Sequence, residues 1–256
     1  MNNFTVVIPA RMSSTRLPRK MLMDVVGLPL IVRVAQQALK SQAKHVVVAT
    51  DHQEIYEICK QNALDVVMTS VEHQSGTDRI AEVVQLLKLA DDEIIINVQG
   101  DEPLIDPELI NHLAQFIADK KTSIATIAHP IHSSDEIFNP NVVKTVLNKD
   151  NLALYFSRAP IPYYRDGYNN AKDFEAPKQL NVLRHIGIYA YQVAFLNIYQ
   201  QLPCCPLEQV EALEQLRALY YGYPIAVFIT NHAPAAGVDT LNDLIRVRQI
   251  ILAEEK

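Results

Sequence analysis

The chain has 256 residues, of which 49% are hydrophobic and 20% charged, enough to bury a sizeable core in one large domain. Its 23 Lys and Arg stand against 29 Asp and Glu, a formal charge of -6, which excludes a general nucleic-acid coat because phosphate binding needs a basic face. Seven glycines, none two apart, exclude both standard Gly-rich phosphate cradles. Cys59, Cys204 and Cys205 form no C-x-x-C pair, zinc spacing or disulfide framework. No apolar run approaches the ~20 residues that span a bilayer, and the first ten residues lack a leader pattern. A soluble cytoplasmic protein is expected.

In chain order, apolar runs alternate with amphipathic segments. Phe4 to Pro9 is a β-branched run, read as a buried strand. Leu28 to Lys40 has helical spacing, with Pro29 in its first turn. His45 to Thr50 reads as a strand, Glu54 to Ala63 as a helix, Asp65 to Met68 as a strand and Thr77 to Ala90 as a helix. Glu93 to Gln99 is the next strand, ending at Gly100-Asp101. This rhythm predicts βαβ units and a mostly parallel sheet, with ligands outside the carboxyl ends of the strands.

Beyond this, Pro107 to Lys120 reads as a helix, and Ser123 to Ala128, Val142 to Leu147 and Ala153 to Ser157 as strands. Pro160 to Pro177 reads as a polar loop, Arg184 to Tyr191 as a strand, and Val193 to Gln201 and Leu207 to Tyr221 as helices. Ile225 to Thr230 is a last strand, and Thr240-x-x-Asp243 a capping box for a final helix. The expected architecture is α/β: one domain over residues 1–256, with a β-rich subregion at about 125–230.

The segments after strands carry the candidate chemistry. Arg11, Arg16, Arg19 and Lys20 follow the first strand, and no acidic residue precedes Asp24. Such a run can hold several phosphates, Arg by bidentate contacts and Lys as a point charge. Asp101, after the apolar strand, is a natural Mg²⁺ ligand, since magnesium is held by one or two carboxylates plus substrate phosphates. Asp239 before a helix is a second one, with helix capping as its competing role. Ser75 and Arg79, in a run of small hydroxyls before a helix, could touch a nucleotide or cap the loop. Ser157-Arg158 and Arg184-His185 are Arg-rich strand ends that could receive an anionic substrate, although a lone His such as His185 is commonly structural. His129 and His132 lack companion ligands.

Seven segments in order, R-x-x-S-x-R-x-P-x-K at 11–20, HQSGTDR at 73–79, NVQGDEP at 97–103, YFSRAPIP at 155–162, RHIGIYAY at 184–191, LEQLR at 213–217 and GVDT at 237–240, together resemble the 3-deoxy-manno-octulosonate cytidylyltransferases, the CMP-Kdo synthetases of lipopolysaccharide biosynthesis. The resemblance implies a Rossmann-like nucleotidyltransferase fold, a homodimer, and the joining of CTP to Kdo with Mg²⁺ and release of pyrophosphate. It implies that Arg11, Ser14, Arg16 and Lys20 hold the triphosphate, and that Pro9, Ala10, Ser75 and Arg79 face the cytidine. It implies that Asp101 and Asp239 bind metal, and that Gln99, Arg158, His185, Tyr189, Glu214 and Gln215 line the sugar pocket. Arg11, Arg16, Lys20, Asp101 and Asp239 are the catalytic candidates. Arg19 stands where the pattern often has Gly, and Met21 where it has Pro. If that Gly uses a positive φ, Arg costs about 1–2 kcal/mol there or the loop bends differently. The alternatives are a cytidylyltransferase for a related sugar, such as 8-amino-Kdo, and a non-catalytic nucleotide-binding protein.

Overall fold

The structure, a computed structural model, describes residues 4–14, 17–73, 75–131, 133–168, 182–232, 235 and 237–254. Strand β1 (Phe4–Ala10) is buried throughout. A 3₁₀ turn at Lys20–Leu22 leads to a small hairpin, β2 (Asp24–Val25) and β3 (Leu28–Pro29), turned by Val26 and Gly27 at positive φ. Then come α1 (Leu30–Ala38), β4 (His45–Thr50), α2 (Gln53–Gln61), β5 (Asp65–Met68), α3 (Gly76–Leu86), β6 (Ile94–Asn97), α4 (Pro107–Lys120) and β7 (Ile124–Pro130). The remainder is α5 (Ser134–Phe138), β8 (Lys144–Leu147), β9 (Ala153–Ser157), β10 (Leu183–Gln192), α6 (Val193–Tyr199), α7 (Pro206–Glu211), α8 (Gln215–Tyr220), β11 (Ala226–Ile229) and α9 (Leu241–Glu254).

The mostly parallel sheet has the order β11-β7-β10-β6-β1-β4-β5, with β8 and β9 attached beside β10. β1 pairs in parallel with β4 and β6, β4 with β5, and β7 with β11. β10 alone within the main order runs antiparallel, inserted between β6 and β7. Strands from both halves of the chain therefore share one sheet. Both faces of β1 are covered, which explains why it is buried at every position. Val6 and Ile8 enter the core with α1, α2 and α4, whereas Val7 enters the core with α3 and α6. Each fully buried Val or Ile contributes about 1.5–3 kcal/mol relative to exposure.

Helix ends follow local chemistry. Asp106 accepts from the Glu108 amide at 2.9 Å with Pro107 just inside α4, so this helix has the expected bounds. Thr240 and Asp243 form the expected capping box, with Thr240 N donating to Asp243 at 2.9 Å and Asp243 N to Thr240 at 3.2 Å. Leu244, Val247 and Ile251 of α9 pack on Leu17, Val25 and Leu30, which clamps the turn carrying Lys20.

Two expectations change. Pro29 caps α1 from outside rather than sitting in its first turn, because it belongs to the β2–β3 hairpin. The helix expected over Leu207 to Tyr221 is two helices, α7 and α8, broken at Ala212 in the left-handed region (φ 50°). The break is held from both sides: Glu208 of α7 receives two hydrogen bonds from Arg217 of α8, at 2.7 and 2.5 Å. The loop expected over 160–177 lies outside the described residues beyond 168, and His132 lies outside them as well.

Candidate active site

Register puts a cleft where the parallel strands end. Tyr189 of β10 sits opposite Asn97, the last residue of β6, so His185 to Ile188 run past the end of β6 beside Gln99. There β10 bulges between Ile186 and Tyr189, and the Gln99 amide donates to the Gly187 carbonyl at 3.3 Å. The cleft has a volume of about 650 Å³, within the range of small-molecule sites. Its walls include Pro9 of β1, Arg11, Ser14 and Lys20 after β1, Gln99 and Asp101 after β6, Arg158 after β9, His185 and Tyr189 of β10, and Glu214 and Gln215 at the start of α8.

One end is charged. The buried Lys20 Nζ lies 2.7 Å from Asp101 Oδ2 and 3.1 Å from Asp239 Oδ1, so residues far apart in the chain meet on one ammonium. Burial disfavours that charge, but Asp101 and Asp239 outweigh it, and the Lys20 pKa is raised. Two glycines make the meeting geometrically feasible. A Cβ on Gly100 would stand 2.8 Å from the Pro9 carbonyl, and one on Gly237 would stand 3.0 Å from the Asp101 carbonyl. The latter carbonyl accepts from Val238 N at 2.8 Å, which ties the Asp239 segment to the Asp101 turn. A third carboxyl, Glu102, is pushed up to about 7, first by burial and then by Asp101. Two carboxylates converging on one cation provide the hard oxygens that Mg²⁺ takes. The described residues contain no cluster of three or more metal-ligating side chains, so substrate or water oxygens would complete such a shell.

At the other end the charged groups, Arg158 and Glu214, are hydrogen-bonded within the protein, and His185, Tyr189 and Gln215 are neutral. Burial lowers the His185 pKa to about 3 and raises that of Tyr189 well above its ordinary value. Neither carries charge at neutral pH. Tyr189 Oη and Gln215 Nε2 are buried and have no hydrogen-bond partner among the described residues. An orphaned polar atom costs about 1–3 kcal/mol, so both favour a ligand that can pair with them. Glu214 faces the opposite wall: its carboxylate accepts from the amides of Gly76 and Thr77 at 3.3 Å each and from the Thr77 hydroxyl at 2.9 Å. It thereby occupies the positive end of α3. After the break at Ala212 the chain restarts as α8, and Glu214 and Gln215 at its start both line the cleft.

The expected site residues divide into lining and supporting groups. Ala10 is fully buried behind Pro9. Ser75 and Arg79 stand behind the cleft wall. Ser75 caps α3, accepting from Asp78 N at 3.0 Å, and the fully buried Arg79 pairs with Asp51 at 2.5 Å. Their neighbours Gly76 and Thr77 line the cleft instead. Arg16 lies outside the described residues. Arg158 lines the cleft while its guanidinium donates to the carbonyls of Glu211 at 2.7 Å, Pro140 at 3.0 Å and Ala212 at 3.3 Å. Three of its five N–H groups are thus used internally. Arg19 adopts φ 57°, the left-handed conformation expected for a Gly-preferring position, with its side chain paired to Glu54.

Sequence reasoning missed the supporting groups. Glu211 holds Ser157 Oγ at 2.6 Å and the Arg158 amide at 2.9 Å. The buried Lys144 donates to the carbonyls of Asn139, Val142 and Arg158 at 3.0, 2.6 and 2.7 Å. Arg217 stacks 4.6 Å from the Tyr199 ring while bound to Glu208. A fully buried Lys in a strand was the one readable sign among them, because such a charge needs several acceptors.

Residues 5–227 match the cytidylyltransferase family. A 3-deoxy-manno-octulosonate cytidylyltransferase of Herminiimonas arsenicoxydans is 57% identical over 96% of this chain and 98% of that protein. The protein of the same name from Polynucleobacter asymbioticus is 55% identical over 97% and 96%. A solved CMP:2-keto-3-deoxy-manno-octonic acid synthetase complexed with CTP superposes with a TM-score of 0.88 at 41% identity, covering 99% of this chain and all of that one. A cytidylyltransferase from Leptospira borgpetersenii, at 15% identity and a TM-score of 0.60, shares the fold. With the cleft residues placed and full-length relatives this close, the chain belongs to the 3-deoxy-manno-octulosonate cytidylyltransferase family of nucleotidyltransferases.

Proposed function

We propose that the chain transfers CMP from CTP to the 2-hydroxyl of Kdo, giving CMP-Kdo and pyrophosphate for lipopolysaccharide biosynthesis, as a cytoplasmic homodimer. One observation carries the assignment of ends. The cleft has a cation-bearing acidic end at Lys20, Asp101 and Asp239, and a neutral end with unpaired polar atoms at Tyr189 and Gln215. Phosphates suit the first and a polyol suits the second.

In this reading the sugar hydroxyl attacks the α-phosphorus in line, the α–β phosphoanhydride bond breaks with its electron pair leaving on pyrophosphate, and the hydroxyl proton passes to solvent. Such transfer depends chiefly on positioning and charge stabilisation. Arg11 and Ser14, with Lys20, hold the triphosphate, and Arg16 joins them by its place in the motif. Pro9 and the Gly76–Thr77 turn border the base, and Ser75 and Arg79 fix that turn from behind. Asp101 and Asp239 would hold Mg²⁺, which would supply Lewis-acid polarisation of the phosphate and a lowered pKa for the attacking hydroxyl. Lys20 offsets part of the charge of the two carboxylates and offers positive charge to the leaving pyrophosphate. Gln99, Arg158, His185, Tyr189, Glu214 and Gln215 form the sugar end, with Arg158 available to the sugar carboxylate. A net charge of -6 accords with small anionic substrates held locally rather than nucleic acid.

Pyrophosphate release tests the proposal. Release with CTP and Mg²⁺ should require Kdo, and ATP should not replace CTP. Equal release without Kdo, or none with it, would remove the assignment. Light scattering should give twice the chain mass, and a monomer would remove the dimer.

A further inference from the structure

Thr126 sits on β7, fully buried and outside the cleft lining, yet its hydroxyl is the hub of the β10 bulge. Thr126 Oγ1 is 2.7 Å from the Ile188 carbonyl, 3.2 Å from the Ile186 carbonyl and 3.0 Å from His185 Nε2. A hydroxyl has one proton and two lone pairs. Both carbonyls can only accept, and an oxygen 2.7 Å from another needs a proton between them. That proton therefore lies on the Ile188 contact. The hydroxyl has only lone pairs left for His185, so the imidazole must donate to it.

We infer that Thr126 is a positioning residue whose hydroxyl fixes His185 as its Nε2–H tautomer, so that the ring offers Nδ1 to the cleft as an acceptor for a substrate hydroxyl. A neutral imidazole carries one N–H, and the Thr126 contact uses it. Nδ1 has no hydrogen bond among the described residues, and His185 lines the cleft. Burial keeps the ring neutral, with its pKa near 3, so no second proton turns Nδ1 into a donor at neutral pH. An edge contact with Phe156 at 5.1 Å and a tilted contact with Tyr189 at 5.2 Å hold the ring plane. This revises the expected part of His185. It is not a donor to the sugar carboxylate, which falls to Arg158, but a reader of a hydroxyl. The naming of that hydroxyl's owner as Kdo rests on the proposed function. The tautomer does not.

The test is two-bond ¹H–¹⁵N correlation on histidine-labelled, ligand-free protein, with His185→Gln identifying the signal, combined with steady-state kinetics. The wild type should show protonated Nε2 and unprotonated Nδ1 for His185. Thr126→Val should populate the other tautomer and raise KM for Kdo roughly tenfold while leaving KM for CTP within about twofold, as for one lost neutral hydrogen bond. Thr126→Ser should restore both. A protonated Nδ1 in the wild type would overturn the inference, as would a Val variant with unchanged tautomer and unchanged Kdo KM. If Thr126→Val does not fold, the wild-type tautomer and the Ser variant decide. If the wild type makes no CMP-sugar, the function fails while the tautomer is still read without substrate.

Discussion

The two ends of the cleft solve opposite problems. At Lys20 the chain gathers charge and pairs it internally, one ammonium shared by two carboxylates. At His185 and Gln215 it removes charge and leaves polar atoms unpaired. The first arrangement is satisfied before any ligand arrives, so a ligand there must rearrange existing pairs. The second is unsatisfied, so a ligand there completes it. An enzyme that joins a phosphate ester to a polyol needs both kinds of surface within one cleft.

Breaking the charged end should have the largest effect. Asp101→Asn keeps the side-chain shape and should keep the fold, but should lower kcat with Mg²⁺ roughly a hundredfold or more, by loss of preorganised charge. A near-native rate in Mg²⁺ would remove Asp101 from the metal role.

The neutral end predicts a pH effect on stability rather than on charge. The folded pKa of His185 is lowered to about 3, against 6.5 when unfolded. Between those values the unfolded chain binds one proton more than the folded chain. The contribution is therefore fully present above pH 6.5 and is lost as pH falls from 6.5 toward 3. From pH 7.5 to 5 this amounts to roughly 1–2 kcal/mol. Urea unfolding at the two pH values should show a smaller loss for His185→Gln than for the wild type, and equal losses would contradict the buried neutral ring.

The smallest effect belongs to the turn that carries Lys20. Arg19 is at φ 57° with an exposed ion pair to Glu54, which contributes little. Arg19→Gly should relieve the left-handed strain and stabilise by up to about 1 kcal/mol, net of the greater entropy of Gly in the unfolded chain. A Tm lower than wild type would show that the Glu54 pair outweighs the backbone.

The charged end was the more legible in sequence. Arg11, Lys20 and Asp101 follow strand signals, and Asp239 stands just before a helix-start signal. The strands themselves were legible because β1, β4 and β6 are apolar runs flanked by helical periodicity. At the neutral end, Arg158 and His185 were singled out from the residues, whereas Gln99, Tyr189, Glu214 and Gln215 came only through the family resemblance. The geometry of that end depends on a bulge in β10 held from β7, on residues about 60 positions apart. It also depends on the break at Ala212, which the helical pattern of 207–221 conceals. Thr126 looks like any strand Thr until register places it beside Ile188. The same holds for Arg79, whose partner Asp51 is set by the pairing of β4 and β5 rather than by local pattern.

The central claim is that phosphates occupy the Lys20 end and the sugar the Gln215 end. A paired KM measurement on Lys20→Met and Gln215→Ala tests it most directly. The account predicts that Lys20→Met raises KM for CTP roughly tenfold or more with little change for Kdo, and that Gln215→Ala does the reverse. A crossed result, with Gln215→Ala raising KM for CTP and leaving Kdo unchanged, would contradict it.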